Sequence, residues 1–170
     1  AALEQGSDLR FLAVVGASGS GKSSLVRAGL AVTLKRRGWS THIFTPTAEP
    51  LKGLAVQLNA LPPAAQATPV LFLVDQFEET FTLCHEDATR IAFIDQLLAL
   101  ATDASDGAAA PQEDGGKGKR DKRTITVVIA LRADFYAHCA QYPRLREAVA
   151  AHQVYIGQMT AAELRRAIKE

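Results

Sequence analysis

The sequence predicts an α/β three-layer sandwich built on a parallel sheet, and three observations carry that prediction. Short, wholly apolar runs rich in β-branched residues recur along the chain, as strands buried on both faces require. Segments with apolar residues at helical spacing alternate with them. A parallel pair of strands needs a crossover long enough for a helix, so this alternation favours parallel pairing.

"FLAVV" (residues 11–15) reads as the first buried strand, ending at Gly16. Over residues 22–37 the apolar Leu25, Val26, Leu30, Val32 and Leu34 follow a helical spacing, Lys35, Arg36 and Arg37 occupy the last turn, and Gly38 stops it. Arg27 and the trio from Lys35 to Arg37 are expected to face solvent. "WSTHIF" (39–44) reads as a second strand ended by Pro46, and residues 51–61 as a helix broken by Pro62 and Pro63. "VLFLV" (70–74) is a third strand, terminated by Asp75. Residues 87–102 form a helix bearing Ile91, Phe93, Ile94, Leu97, Leu98 and Leu100. "TITVVIAL" (124–131) is a fourth strand ending at Arg132, residues 137–150 are helical with a break at Pro143, and "QVYIG" (153–157) is a fifth strand. Thr160 with Glu163 makes a capping box that opens a last helix.

With 170 residues, 48% hydrophobic and 22% charged, the composition is that of one globular domain able to bury a core. The net charge of +1 argues against a protein that coats polyanions. Residues 101–123 stand apart from the core pattern, with little apolar content after the start, and read as a low-complexity insertion at about 102–123. The basic residues Lys117, Lys119, Arg120, Lys122 and Arg123 there are offset by Asp103, Asp106, Glu113, Asp114 and Asp121, which argues against a nucleic-acid patch and for a solvated surface segment. Two cysteines, Cys84 and Cys139, are too few for a disulfide framework and read as reduced thiols. The pairs Cys84-His85 and His138-Cys139 lack the spacer that zinc ligands use. No apolar run approaches the ~20 residues that span a bilayer. The start "AALEQGSDLR" has no secretory core, so a cytoplasmic protein is expected.

Residues 16–23 match G-x-x-x-x-G-K-[ST], the Walker A pattern, between a predicted strand and a predicted helix. Successive backbone N–H groups over Gly16, Ala17, Ser18, Gly19, Ser20, Gly21, Lys22, Ser23 and Ser24 would wrap a phosphate. Gly16, Gly19 and Gly21 are explained there by lack of room for a Cβ. The helix N-terminus offers its free N–H groups and the positive end of its dipole to the anion. Lys22 would meet the β- and γ-phosphates, and the Ser23 hydroxyl would ligate Mg²⁺. Asp75, at the carboxyl end of a buried strand, has the Walker B position and would hold the Mg²⁺ shell. Glu78 and Glu79 follow at the distance expected of a group that activates or orients the attacking water; otherwise they simply begin the next helix. Arg132, at a strand end on the same sheet edge, would touch the γ-phosphate or pair with Asp134. There is no N-K-x-D stretch to read guanine and no L-S-G-G-Q of transporter-type ATPases.

Taken together, "FLAVVGASGSGKSSLVRAGL", "VLFLVDQFEETFTLC", "VVIALRADFYAHCAQYP" and "MTAAELRRAIKE" resemble, in order, the novel STAND NTPase domain found in bacterial proteins with WD-repeat propellers or protease-type effectors. The similarity runs from about residue 9 to residue 170. It implies an ASCE-type P-loop NTPase with sheet order 5-1-4-3-2, binding ATP or ADP with Mg²⁺. It further implies a signalling ATPase, the core of a larger multidomain protein, whose nucleotide state controls homo-oligomerisation. By position, Lys22 and Ser23 are its phosphate and Mg²⁺ residues, Asp75 its Walker B acid, Glu78 and Glu79 its acidic pair and Arg132 its sensor arginine. The rival readings are a nucleotide-holding scaffold with little hydrolysis and a small-molecule kinase.

Overall fold

The computed structural model describes residues 9–63, 68–102 and 124–157. The low-complexity insertion and the capping box at Thr160 lie outside these described residues. Five strands, β1 (Phe11–Gly16), β2 (Ser40–Phe44), β3 (Val70–Val74), β4 (Ile125–Arg132) and β5 (Gln153–Ile156), form one sheet in the order β2-β3-β4-β1-β5. Every pairing is parallel. This is the expected order, read from the opposite edge. The registers Gly16↔Arg132 and Phe44↔Val74 bring the carboxyl ends of the strands to one rim, where ligands of open parallel sheets gather.

The helix after β1 is not a uniform α-helix. It starts as α1 (Lys22–Ser24), widens into a π-helical stretch (Leu25–Ala31) and returns to α2 (Val32–Arg36). Its buried apolar positions, Val26 and Ala31, are therefore five apart, while Leu25 and Val32 turn to solvent. The 3.6-residue stripe read from the sequence is not kept, because π-turns close on i→i+5 bonds. This segment packs Val26, Leu30 and Leu34 on one sheet face against Val14, Leu71, Leu73, Val128 and Ala130.

The other face carries the larger core. Here α3 (Pro50–Asn59), α5 (Asp87–Ala101) and α7 (Pro143–Ala151) cover Phe72, Val74, Val127, Ile129 and Leu131 with Leu54, Phe93, Leu97, Leu145 and Val149. Phe77 stacks on Phe93 and meets Phe81 edge-on. Phe77 and Phe93, buried completely, each contribute roughly 1.5–3 kcal/mol. Pro143 opens α7 at its first turn, where its missing N–H costs nothing, so the helical segment expected over residues 137–150 breaks there as read, into α6 (Tyr136–Cys139) and α7. A short 3₁₀ turn (Ala133–Phe135) joins β4 to α6. Glu79 opens one further short helix, α4 (Glu79–Thr82).

Candidate nucleotide site

The loop between β1 and α1 is shaped by its glycines for two different reasons. A Cβ on Gly16 would lie 2.6 Å from the Ile156 carbonyl oxygen and 2.8 Å from Ser20 Oγ, so strand β5 and the loop leave it no room. Gly19 differs from expectation: nothing would crowd its Cβ, and what it supplies is a backbone φ of +74°. Gly21, with φ 85°, likewise adopts the left-handed conformation that L side chains resist and stands as the N-cap of α1.

Lys22 is buried and held by the loop it follows. Its Nζ donates to the carbonyl oxygens of Gly16 at 2.8 Å and Ala17 at 2.7 Å, with Ser20 Oγ at 3.5 Å. Burial pushes the Lys22 ammonium below the ordinary lysine value; Arg132 adds to this, while the carboxylates of Glu78, Asp134 and Asp75 oppose it.

Ser23 and Asp75 meet. The Ser23 hydroxyl donates to Asp75 Oδ1 at 2.9 Å, and the same oxygen accepts the Gln76 N–H at 3.0 Å. Gln76 has φ 53°, the one positive φ outside glycine among the described residues. That turn lets its N–H face back to Asp75 and starts the path toward Glu78. One hydroxyl and one carboxylate side by side are a hard-oxygen donor set, suited to Mg²⁺, which takes few protein ligands and keeps most of its waters. The residues present fit that ion.

A polar cleft of about 170 Å³ on this rim is lined by Ser18, Gly19, Lys22, Ser23, Asp75, Gln76, Glu78, Ala130 and Arg132. The structure thus brings together the expected Ser18, Gly19, Lys22, Ser23, Asp75, Glu78 and Arg132. Gly16, Ala17, Ser20 and Gly21 shape the loop behind them, and Ser24 is exposed. The two glutamates part company. Glu78 faces the cleft, its Oε2 accepting the Arg132 backbone N–H at 3.3 Å. Glu79 is not among the lining residues, and burial, with Glu78 and Asp75 nearby, raises its carboxyl above the ordinary value.

The Arg132 guanidinium grips Asp134 with two hydrogen bonds, Nε to Oδ1 at 3.1 Å and one terminal nitrogen to Oδ2 at 2.6 Å, and lies over the Phe135 ring. This pair holds the Asp134 carboxyl below the usual range. Arg132 therefore pairs with Asp134, and it also borders the cleft.

Arg27 faces solvent as expected, its side chain 47% exposed, but it also has a partner. Its Nε donates to Asp75 Oδ2 at 2.6 Å. The signal was present in the sequence, since Arg27 lies four positions past Ser23, one helical turn on, and so on the same face.

The cysteines stand away from this rim. Cys84 and Cys139 are buried free thiols, and burial pushes Cys139 up to about 12. Among the described residues no trio of His, Cys, Asp or Glu side chains is grouped to hold a metal ion, and no helix is long and apolar enough to cross a membrane.

The family described as Novel STAND NTPase 1 matches residues 1–170. No curated protein matches. The fold is similar to the crystal structure of Cdc6p from Pyrobaculum aerophilum, with a TM-score of 0.56 and 14% identity over 95% of this chain and 44% of that one. The chain thus spans less than half the length of that structure, and at such identity the likeness is one of fold.

Proposed function

This chain belongs to the Novel STAND NTPase 1 family, and from that premise we propose that it is the Mg²⁺-dependent, ATP-hydrolysing core of a cytoplasmic signalling switch. At the coarser level it is a nucleotide-binding module on a P-loop NTPase fold. One observation carries the finer reading: the Ser23 hydroxyl and the Asp75 carboxylate meet at 2.9 Å on the rim where Lys22 is seated in a glycine loop.

The loop N–H groups and the N-terminus of α1 would receive the β- and γ-phosphates, with Lys22 exchanging loop carbonyls for phosphate oxygens. Ser23 and Asp75 would hold Mg²⁺, which when bound supplies charge neutralisation for the phosphates. Glu78 orients the attacking water and takes its proton as oxygen bonds to the γ-phosphorus and the bond to the β-phosphate oxygen breaks. Arg132, released from Asp134, stabilises charge on the γ-phosphoryl group. Glu79 is a structural residue of α4 in this reading.

In the family's pattern, nucleotide state would switch homo-oligomerisation and govern flanking effector and sensor modules such as WD-repeat propellers. A second reading has support from one feature: Glu78 and Arg132 are engaged with each other's neighbourhood, through the Arg132 N–H and Asp134, which suits a slow or nearly inactive nucleotide holder. A single experiment separates the two. Calorimetric titration of ATP with and without Mg²⁺, paired with phosphate release from the same sample, gives binding with turnover for the switch and binding without turnover for the holder. Absence of binding under both conditions defeats the assignment.

A further inference from the structure

Asp75 is gripped at both oxygens. Oδ1 accepts from the Ser23 hydroxyl and the Gln76 N–H, and Oδ2 accepts from Arg27 Nε at 2.6 Å. The Asp75 side chain is only 3% exposed, whereas that of Arg27 is 47% exposed. The guanidinium also reaches sideways to Thr45 Oγ1, at 3.4 Å, just past the end of β2. A carboxylate at a strand end can turn about its terminal torsion, which has broad wells. A planar guanidinium bonded to one oxygen fixes the plane and leaves the other directed at Ser23. Both grips come from one element: Ser23 in α1 and Arg27 in the π-helical stretch that continues it.

From this geometry we infer that Arg27 is a positioning residue, which aims Asp75 at the Mg²⁺ shell and thereby sets how much Mg²⁺ the site requires. The inference rests on the nucleotide-site reading above. Arg27 touches neither phosphate nor metal in this role; it acts through Asp75. Groups that orient a metal's ligands shift metal affinity by about 10- to 100-fold when removed. A competing view of the same pair has the opposite sign: a cation beside Asp75 repels Mg²⁺, and its removal would tighten metal binding.

The test measures ATP affinity calorimetrically in EDTA and across a Mg²⁺ titration, for the full chain and for Arg27→Ala, Arg27→Lys, Asp75→Ala and the Arg27→Ala/Asp75→Ala double variant. Arg27→Ala is expected to raise the Mg²⁺ concentration for half-effect about tenfold, leave ATP affinity in EDTA unchanged, and add nothing in the Asp75→Ala background. Arg27→Lys keeps the charge but loses the flat donor and is expected to fall between wild type and Arg27→Ala; it carries the test should Arg27→Ala not fold. An unchanged or lowered Mg²⁺ requirement, or an equal further rise in the Asp75→Ala background, overturns the role of Arg27. A wild-type chain that binds no nucleotide overturns the site reading itself, whereas a binding wild type with unshifted variants removes this inference alone.

Discussion

Ser23 and Asp75 stand 52 positions apart in the chain and share a hydrogen bond of 2.9 Å. The bond joins the first turn of α1 to the end of β3, and it makes the two candidate metal residues one unit. Lys22, one residue earlier, is directed instead at the loop carbonyls of Gly16 and Ala17. The two neighbours should therefore fail differently. Lys22→Ala is expected to weaken ATP binding at least about tenfold with or without Mg²⁺, since a charge-assisted contact to phosphate contributes roughly 1.5–3 kcal/mol. Ser23→Ala should weaken binding only when Mg²⁺ is present. Titrations in EDTA and in Mg²⁺ compare them directly.

Glu78 and Glu79 are separable by substitution with glutamine. Glu78→Gln removes the proton acceptor that lines the cleft and should lower phosphate release about 10²–10⁴-fold with ATP affinity retained. Glu79→Gln should change turnover little and affect stability instead. The Glu79 carboxyl is raised above its ordinary 4.5, by burial first and then by Glu78 and Asp75. The folded chain then holds this proton more tightly than the unfolded chain, so stability declines as pH rises through 4.5 toward the folded value. Glu79→Gln should melt higher than wild type at neutral pH, and the difference should vanish below 4.5.

Asp134 holds the Arg132 guanidinium by two bonds. Asp134→Ala frees that cation for the cleft it borders, so the preference for ATP over ADP should increase. Arg132→Ala should erase the preference. Competition between the two nucleotides for a fluorescent analogue measures both, and equal ratios in wild type and both variants would remove Arg132 from phosphate sensing.

His42 gives the fold a pH response remote from the cleft. It is buried on β2, stacked on Phe72, with its Nε2 2.9 Å from Ser40 Oγ. Burial lowers its value below 6.5, with a hydrogen bond involving Gln57 opposing. Below pH 6.5 the unfolded chain takes up a proton that the folded chain refuses, so stability is fully present above 6.5 and is lost as pH falls toward the folded value. His42→Phe keeps a ring on Phe72 and should flatten the decline of the melting temperature below pH 6.5; an undiminished slope would assign the response elsewhere.

The middle of the sheet was legible in the sequence because β1, β3 and β4 are largely buried, whereas the edge strand β5 is mostly exposed. "VLFLV" can be nothing but core, and β3 occupies just those residues. The glycine loop was legible because phosphate chemistry restricts residue types at fixed spacing. What escaped reading depends on backbone geometry that no periodicity encodes. The π-turns kept Val26 buried as read, added Ala31 and turned Leu25 and Val32 to solvent. The turn at Gln76 decided that Glu78 faces the cleft and Glu79 does not. The partner of Arg27 was missed because a basic residue in mid-helix ordinarily faces water alone; its place four positions past Ser23 was the one hint, and the π-helical stretch beside the end of β3 brings it to the carboxylate.

The close approach of Gly16 to the Ile156 carbonyl has a consequence for biosynthesis. Strand β1 leaves the ribosome early but lies between β4 and β5, both translated late. Until β4 and β5 emerge, the residue that begins the phosphate loop has neither of its neighbours and no wall behind it. Long-range parallel pairing of this kind is slow and leaves sticky edges bare meanwhile. Within this domain the wall behind Gly16 is therefore complete only once β4 and β5 have been made.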